Sequence, residues 1–415
     1  MPKPPPLQTL AHPVGVLYEV RWSEVCPWLI LVKALRVTLL IRVLLLALVG
    51  ALLAQWGSLA MGSFFSSEAP SLDRPVAASP ASSPVQIPLP AEQPVNQVLA
   101  YAAEAPLLRG WTSLTRHFYA SFDRELAWQQ SLLMVAQGCW IIAVWAIFGG
   151  AIARIAALYV TRGETIGPIV ALRDATTAWP STAGAPLISV LFGLALVIPL
   201  VVLSFLLRLN SIAAIVGILW VVVLAWGLLL AVVFLGLMIG WPLMWACQGV
   251  ERSDAFDGVS RCGAYVYQKP IQLAFYILIA GLLTYLSEAV VQVFADSAIA
   301  LAEWSLSWGM GSARADEVLG SDLQTPTSSI AARAIQGWKQ GVELLLKSFP
   351  LACLWSMSVG IYLLMRRHVD STEMDEVTLS DGTKQAGLPK LKATAAGAAE
   401  AESPASNGDD QPQDE

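Results

Sequence analysis

The stretch LNSIAAIVGILWVVVLAWGLLLAVVFLGLMIGWPLMWACQGV, residues 209–250, contains no Asp, Glu, Lys or Arg. A helix crosses a hydrocarbon core of roughly 30 Å with about 20 apolar residues. These 42 positions, if helical throughout, would reach roughly 63 Å at about 1.5 Å per residue, twice that thickness. Either two spans share a tight turn here, or a short interfacial helix precedes one span. Asn210-Ser211 suits a helix start, and Trp220 and Trp245 sit where interface anchors belong. The second reading is preferred, with one span at 220–245.

Working outward, the same criterion gives spans at 38–59, 131–153, 187–207, 271–294 and 349–365. Composition agrees. The 415 residues are 56% hydrophobic and only 13% charged, where soluble domains carry about 25% charged residues. A soluble globular enzyme is excluded, and five cysteines are too few for a disulfide scaffold. The expected fold is all-α: a polytopic transmembrane helix bundle of about six spans with amphipathic surface helices.

The net charge of −6 belongs to the C-terminus. Residues 369–415 hold 11 acids against 3 lysines, which leaves residues 1–368 at +2. Orientation follows from Lys and Arg. With both termini inside, 16 of these residues fall in cytoplasmic segments and 9 in outer ones, and none follows the first span until Arg74. The segment before the first apolar run is too long for a signal peptide, so the first span reads as an uncleaved anchor of a cell inner-membrane protein.

The expected organisation is a cytoplasmic arm with a surface helix (1–37), the first span (38–59), an outer loop (60–130), a five-span membrane domain (131–368) and a disordered acidic tail (369–415). In the arm, Ser23 can cap a helix from Pro27 that carries Lys33 and Arg36. The outer loop is Pro-, Ala- and Ser-rich over 69–94 and should be flexible. It then changes character: Leu107, Trp111, Leu114, Phe118, Phe122 and Leu126 share one helical face. That helix should rest on the membrane or on neighbouring helices. A break at Gly309, Gly311 and Ser312 divides the second outer loop, and Thr325 to Ser329 should cap a helix running into the last span, kinked at Pro350.

The inner loops after spans two and four echo one another. An offset of 88 superposes Arg173 on Arg261, Ala175 on Gly263 and Trp179 on Tyr267. Inner-surface helices are expected near 165–180 and 253–268, capped by Thr165 and Ser253, with Asp257 and Arg261 paired at i,i+4. Arg173 and Arg261 have two readings, a clamp holding the surface helices or recognition of anionic lipid at the inner surface.

The strings FGGAIARIAAL at 148–158, GWPLM at 240–244, DAFDGVSR at 254–261 with Tyr265, Tyr267 and Lys269-Pro270, and YLLMRRHVDSTEMDEV at 362–377 together resemble an uncharacterised bacterial family of multi-spanning membrane proteins. More loosely, the spans and surface helices are similar to the membrane domains attached to some glycerophosphodiester phosphodiesterases. The first resemblance implies topology and no assigned activity; the second lacks any catalytic domain here.

Chemistry leaves few signatures. His12, His117 and His368 lie in separate regions, the five cysteines are scattered, and no CxxC, HExxH or phosphate-binding loop occurs. Cys139 and Cys353 read as core residues, while Cys247 and Cys262 face a reducing compartment, which disfavours a disulfide. No catalytic residue, metal site or cofactor is expected, nor nucleic-acid binding. Gly149-Gly150 and Gly236-x-x-x-Gly240 should allow close helix packing. Glu288 is the carboxylate well within a span and the candidate pathway residue. The reading is a non-enzymatic membrane component whose protein partner is open. A transporter or permease-like subunit using Glu288 is the alternative, and a lipid-acting enzyme a third.

Overall fold

The structure, a computed structural model, describes residues 26–65, 105–121, 128–319, 330–372, 391–393 and 399–401. The expected Ser23 cap, the Pro-rich segment, the Phe122 and Leu126 end of the amphipathic face, the 325–329 cap and most of the tail lie outside them. Within the first unit, Met1–Val377, the described residues form a short 3-10 turn followed by eleven α-helices: α1 (Ile30–Thr38), α2 (Ile41–Phe65), α3 (Pro106–Ala120), α4 (Trp128–Arg162), α5 (Pro168–Leu206), α6 (Asn210–Ile218), α7 (Trp220–Glu251), α8 (Ala255–Gln268), α9 (Pro270–Met310), α10 (Ser312–Leu319) and α11 (Ile330–Val369). Six of them, α2, α4, α5, α7, α9 and α11, are long and apolar enough to cross a membrane. In the second unit, Thr378–Glu415, Leu391–Ala393 (β1) pairs antiparallel with Ala399–Ala401 (β2).

The uncharged stretch divides as the preferred reading requires. A nine-residue helix from Asn210 ends at Leu219, and one long helix follows from Trp220. The spans are longer than their apolar runs. α9 and α11 have 41 and 40 residues, so each is roughly 60 Å long at about 1.5 Å per residue. After Phe294 the chain keeps good helix formers, and α9 stops only at Gly311, whose φ of 74° lies in the left-handed region open to glycine.

Residues 165–180 depart from expectation. They form no separate surface helix: α5 begins at Pro168, with Gly167 rather than Thr165 at its cap, and runs unbroken through Pro180, Pro186 and Pro199 to Leu206. Each internal proline removes one backbone donor, a loss that membrane helices tolerate when neighbouring groups satisfy the freed carbonyls. The other expected surface helix is present as α8, capped by the backbone of Asp254 and not by Ser253.

α4 and α11 are the central pair. Their most apolar stretches are 83% and 94% buried, against 11%, 6% and 11% for α5, α7 and α9, which leaves those three helices broadly open to lipid. The Gly- and Ala-rich run at 148–158 explains the enclosure, because side chains this small let backbones approach. Trp355 lies against Gly149, where an added Cβ would sit 2.8 Å from the indole. Around Trp355, Trp245 stacks at a 4.5 Å centroid distance, and Trp145 and Trp241 pack at 5.9 and 5.6 Å. Trp245 is therefore a core residue, 2% exposed, and not the interface anchor its position suggested. The Gly236-x-x-x-Gly240 pair of α7 meets α8 rather than a spanning helix: Gly236 lies under Tyr267 and Gly240 against Val266.

α3 is tucked onto the bundle. Gly110 abuts the Pro350 backbone, Trp111 Nε1 donates to the Met238 carbonyl at 3.1 Å, and Phe118 covers Gly138. Its His117 is buried, and neither ring nitrogen has a hydrogen-bond partner among the described residues. Burial and, to a lesser degree, the neighbouring Arg116 charge lower the His117 pKa to about 4. The unfolded chain, with an ordinary histidine near 6.5, takes up the proton first as pH falls. This contribution to stability is full above about pH 6.5 and is lost as pH drops through about 4. Wild type should therefore lose melting temperature relative to His117→Leu between those values, and parallel pH curves would contradict the buried neutral imidazole.

Candidate functional site: the polar cluster where α7 and α11 end

Two carboxylates organise this end of the bundle. Glu251 is the last residue of α7, where the helix dipole disfavours negative charge. Three donors offset that: Arg261 Nη1 at 2.7 Å, Arg366 Nε at 3.1 Å and the Tyr362 hydroxyl at 2.7 Å. They come from α8 and α11, so one carboxylate ties three helices together. Arg261 also reaches Asp257 Oδ1 through Nε at 3.0 Å, the i,i+4 pair expected from sequence. Its bond to Asp257 and the nearby Glu251 raise the Arg261 pKa further above its ordinary value.

Asp174, on α5, is the second centre. Its Oδ2 accepts from Arg252 Nη2 at 2.8 Å and lies 3.7 Å from Arg154 Nε. Arg154 is 3% exposed and donates Nη1 to the Gly249 carbonyl at 3.1 Å. Arg252 terminates α7 with φ 53°, ψ 36°. That left-handed conformation costs a non-glycine residue about 1–2 kcal/mol, and a glycine there would carry no such penalty. α4, α5 and α7 flank a small open cleft, lined in part by Arg154, Asp174, Thr182, Gln248 and Arg252. Gln248 is 3% exposed. Its Nε2 donates to the Asp254 carbonyl at 3.2 Å, and its Oε1 has no partner among the described residues.

Further contacts extend the cluster. The Tyr265 hydroxyl donates to Asp370, and burial together with that carboxylate raises the Tyr265 pKa, keeping the phenol protonated. Lys269 Nζ donates to the His368 carbonyl at 2.9 Å. Cys247 and Cys262 are fully buried neighbours, with Ser253 Oγ 3.4 Å from Cys247 Sγ. Among the described residues, no three His, Cys, Asp or Glu side chains group in a way that could hold a metal ion.

The echo between residues 164–187 and 251–271 holds for the aromatics and fails for the arginines. Trp179 of α5 donates to the Ala143 carbonyl of α4, and Tyr267 of α8 to the carbonyls of Val232 and Val233 of α7, so each ties its helix to the preceding span. Arg261 is clamped. Arg173 is exposed, with no ion pair among the described residues; its neighbour Asp174, rotated by one helical step, takes that role. The sequence did carry signals for Asp174, Arg154 and Glu251. An arginine inside AIARIAA must find a partner in a low-dielectric setting, and Glu251-Arg252 closes the uncharged stretch.

Glu288 lies apart from this cluster, in an ion pair with Arg109 of α3; both of its oxygens lie 2.6–2.7 Å from Nη2. Arg109 is half exposed, and such pairs contribute about 0–1 kcal/mol. Glu288→Gln should accordingly change stability by no more than about 1 kcal/mol in a detergent melt; a larger loss would mean a more enclosed carboxylate. No family model, curated protein or solved structure matches the chain.

Proposed function

We propose that the protein is a non-enzymatic component of the bacterial cell inner membrane, with both termini in the cytoplasm and its inner helix ends locked together. One observation carries this reading: the charged side chains at that end hold helices to one another. Glu251 is engaged by Arg261, Arg366 and Tyr362, and Asp174 by Arg154 and Arg252. An acid–base or nucleophilic site needs such groups directed at a reacting atom. The Arg109 ion pair likewise favours a structural tie over a translocation role for Glu288.

Orientation rests on the Lys and Arg distribution. Single cysteines introduced at Ser82 and Ser328 should be modified by an impermeant reagent in intact cells, and one at Ser380 should not. Labelling at Ser380 would reverse the orientation. For activity, proteoliposomes holding the purified protein should show neither saturable solute flux nor turnover of lipid. Saturable flux abolished by Glu288→Gln would overturn the proposal in favour of a permease.

A further inference from the structure

We propose that the end of α9 remote from Pro270 is a self-association surface, covered by the same helix of a second copy of this chain. The inference goes beyond the structural reading above and needs only that the chain span a bilayer.

Length is the first argument. α9 starts at Pro270 beside the end of α11, where Lys269 Nζ donates to the His368 carbonyl. About 20 residues from there cross the hydrocarbon core, yet α9 has 41. Tilt does not absorb the excess. At about 40°, the upper end of what membrane helices adopt, α9 would still rise roughly 47 Å. The last turns of α9 therefore stand beyond the core. Their polar content agrees: Asp296 and Glu303 lie there, and Glu303 pairs with Lys339 of α11. Lipid tails do not reach this segment, so its exposed apolar side chains need another cover.

The segment has two faces. Ala295, Ile299, Glu303 and Ser307 form a half-buried i,i+4 row, the one that carries Glu303 to Lys339. On the opposite side, Val290, Phe294, Ser297, Leu301, Trp304 and Trp308 recur at alternating spacings of 4 and 3. That is the heptad seam of paired helices. Its five apolar members are 59–76% exposed, and Trp304 meets Trp308 edge to face at 5.7 Å. Ala298, Ala300 and Ser305 flank the seam, and residues this small let a second helix come close.

Symmetry and area identify the occupant. Two copies inserted the same way in one membrane are related by a twofold axis along its normal. Their α9 helices then run parallel, and each seam residue meets its own counterpart. The seam carries no charged residue, so identical faces meet without repulsion. Ser297, at its middle, can hydrogen-bond its mate across the axis. Aromatic side chains carry about 150–250 Å² each. At these exposures the seam offers roughly 1,200 Å² over two copies, past the about 1,000 Å² that specific interfaces exceed.

The test uses the full chain, in native membranes and purified in detergent. Ser297→Cys, oxidised with copper phenanthroline beside the unaltered chain and its five cysteines, should yield a covalent dimer above that baseline. Asp296→Cys lies at the same depth but is rotated by about 100°, and should yield at least about fivefold less. Leu301→Asp would set like charges across the axis and should weaken self-association at least about tenfold in analytical ultracentrifugation. Because Leu301 is exposed in the single chain, that variant should keep the helical circular dichroism of wild type. A wild type that sediments as a monomer, equal crosslinking from Ser297→Cys and Asp296→Cys, or capture of a different protein by Ser297→Cys in place of its copy would each overturn the proposal.

Discussion

Replacing Glu251 with Gln should lower stability by about 3–5 kcal/mol and the melting temperature by at least about 5 °C. The change removes one charge from a site where Glu251 is 12% and Arg366 9% exposed. Attraction in that setting is weakly screened, and the guanidinium of Arg366 would stay behind in the protein without its carboxylate. Tyr362 would also lose a charged acceptor for a neutral one. Arg261 should suffer least, because it is 42% exposed and keeps Asp257. The comparison is Glu343→Gln. Glu343 pairs with Lys347 at i,i+4 on α11, with both side chains more than 60% exposed. Such pairs contribute about 0.3–0.5 kcal/mol, so this variant should melt within about a degree of wild type. If both variants melted alike, burial at the Glu251 cluster would not be what strengthens it.

Gly249→Ala should cost about 1–3 kcal/mol through overpacking. A Cβ on Gly249 would lie 2.9 Å from Ala153 Cβ and 3.0 Å from the Ala153 carbonyl carbon. Backbone cannot step aside as a flexible side chain can, so α4 and α7 would have to separate. Separation would in turn lengthen the Arg154 bond to the Gly249 carbonyl and open its guanidinium to the surroundings. Gly263, where an added Cβ would meet nothing within 4 Å, gives the contrast. Its replacement by Ala in the middle of α8 should be neutral or stabilise by up to about 1 kcal/mol through helix propensity. Equal effects at both positions would show that α4 and α7 are not in backbone contact.

The six spans were legible because a bilayer imposes long apolar runs that composition alone displays. The break between α6 and α7 was legible for a related reason, the excess length of residues 209–250. Helix ends were harder. The surface helix expected near 165–180 and the span expected at 187–207 are one helix, α5, whose internal prolines lose donors that a membrane bundle can compensate. The apolar runs of α9 and α11 also understated helices that continue well beyond them. Within the polar cluster, Asp257–Arg261 could be read from i,i+4 spacing. The union of Glu251 with Tyr362 and Arg366 joins positions more than 100 residues apart, and no local pattern announces it. Arg173 shows how finely phase matters, since a shift of one residue separates an exposed arginine from the carboxylate that partners two others.

Glu251 and Arg366 pair across α7 and α11 as one interhelical unit, and a double-mutant cycle measures their coupling. Stability would be determined for wild type, Glu251→Gln, Arg366→Met and the double variant in the same detergent. Contacting charged pairs show coupling of about 0.5–3 kcal/mol, and burial places this pair in the upper half of that range. Coupling of at least about 1.5 kcal/mol, with the double variant more stable than Glu251→Gln alone, is the predicted result. Additivity within about 0.5 kcal/mol would mean that the two side chains do not act as a unit, because sites that share no interaction behave that way.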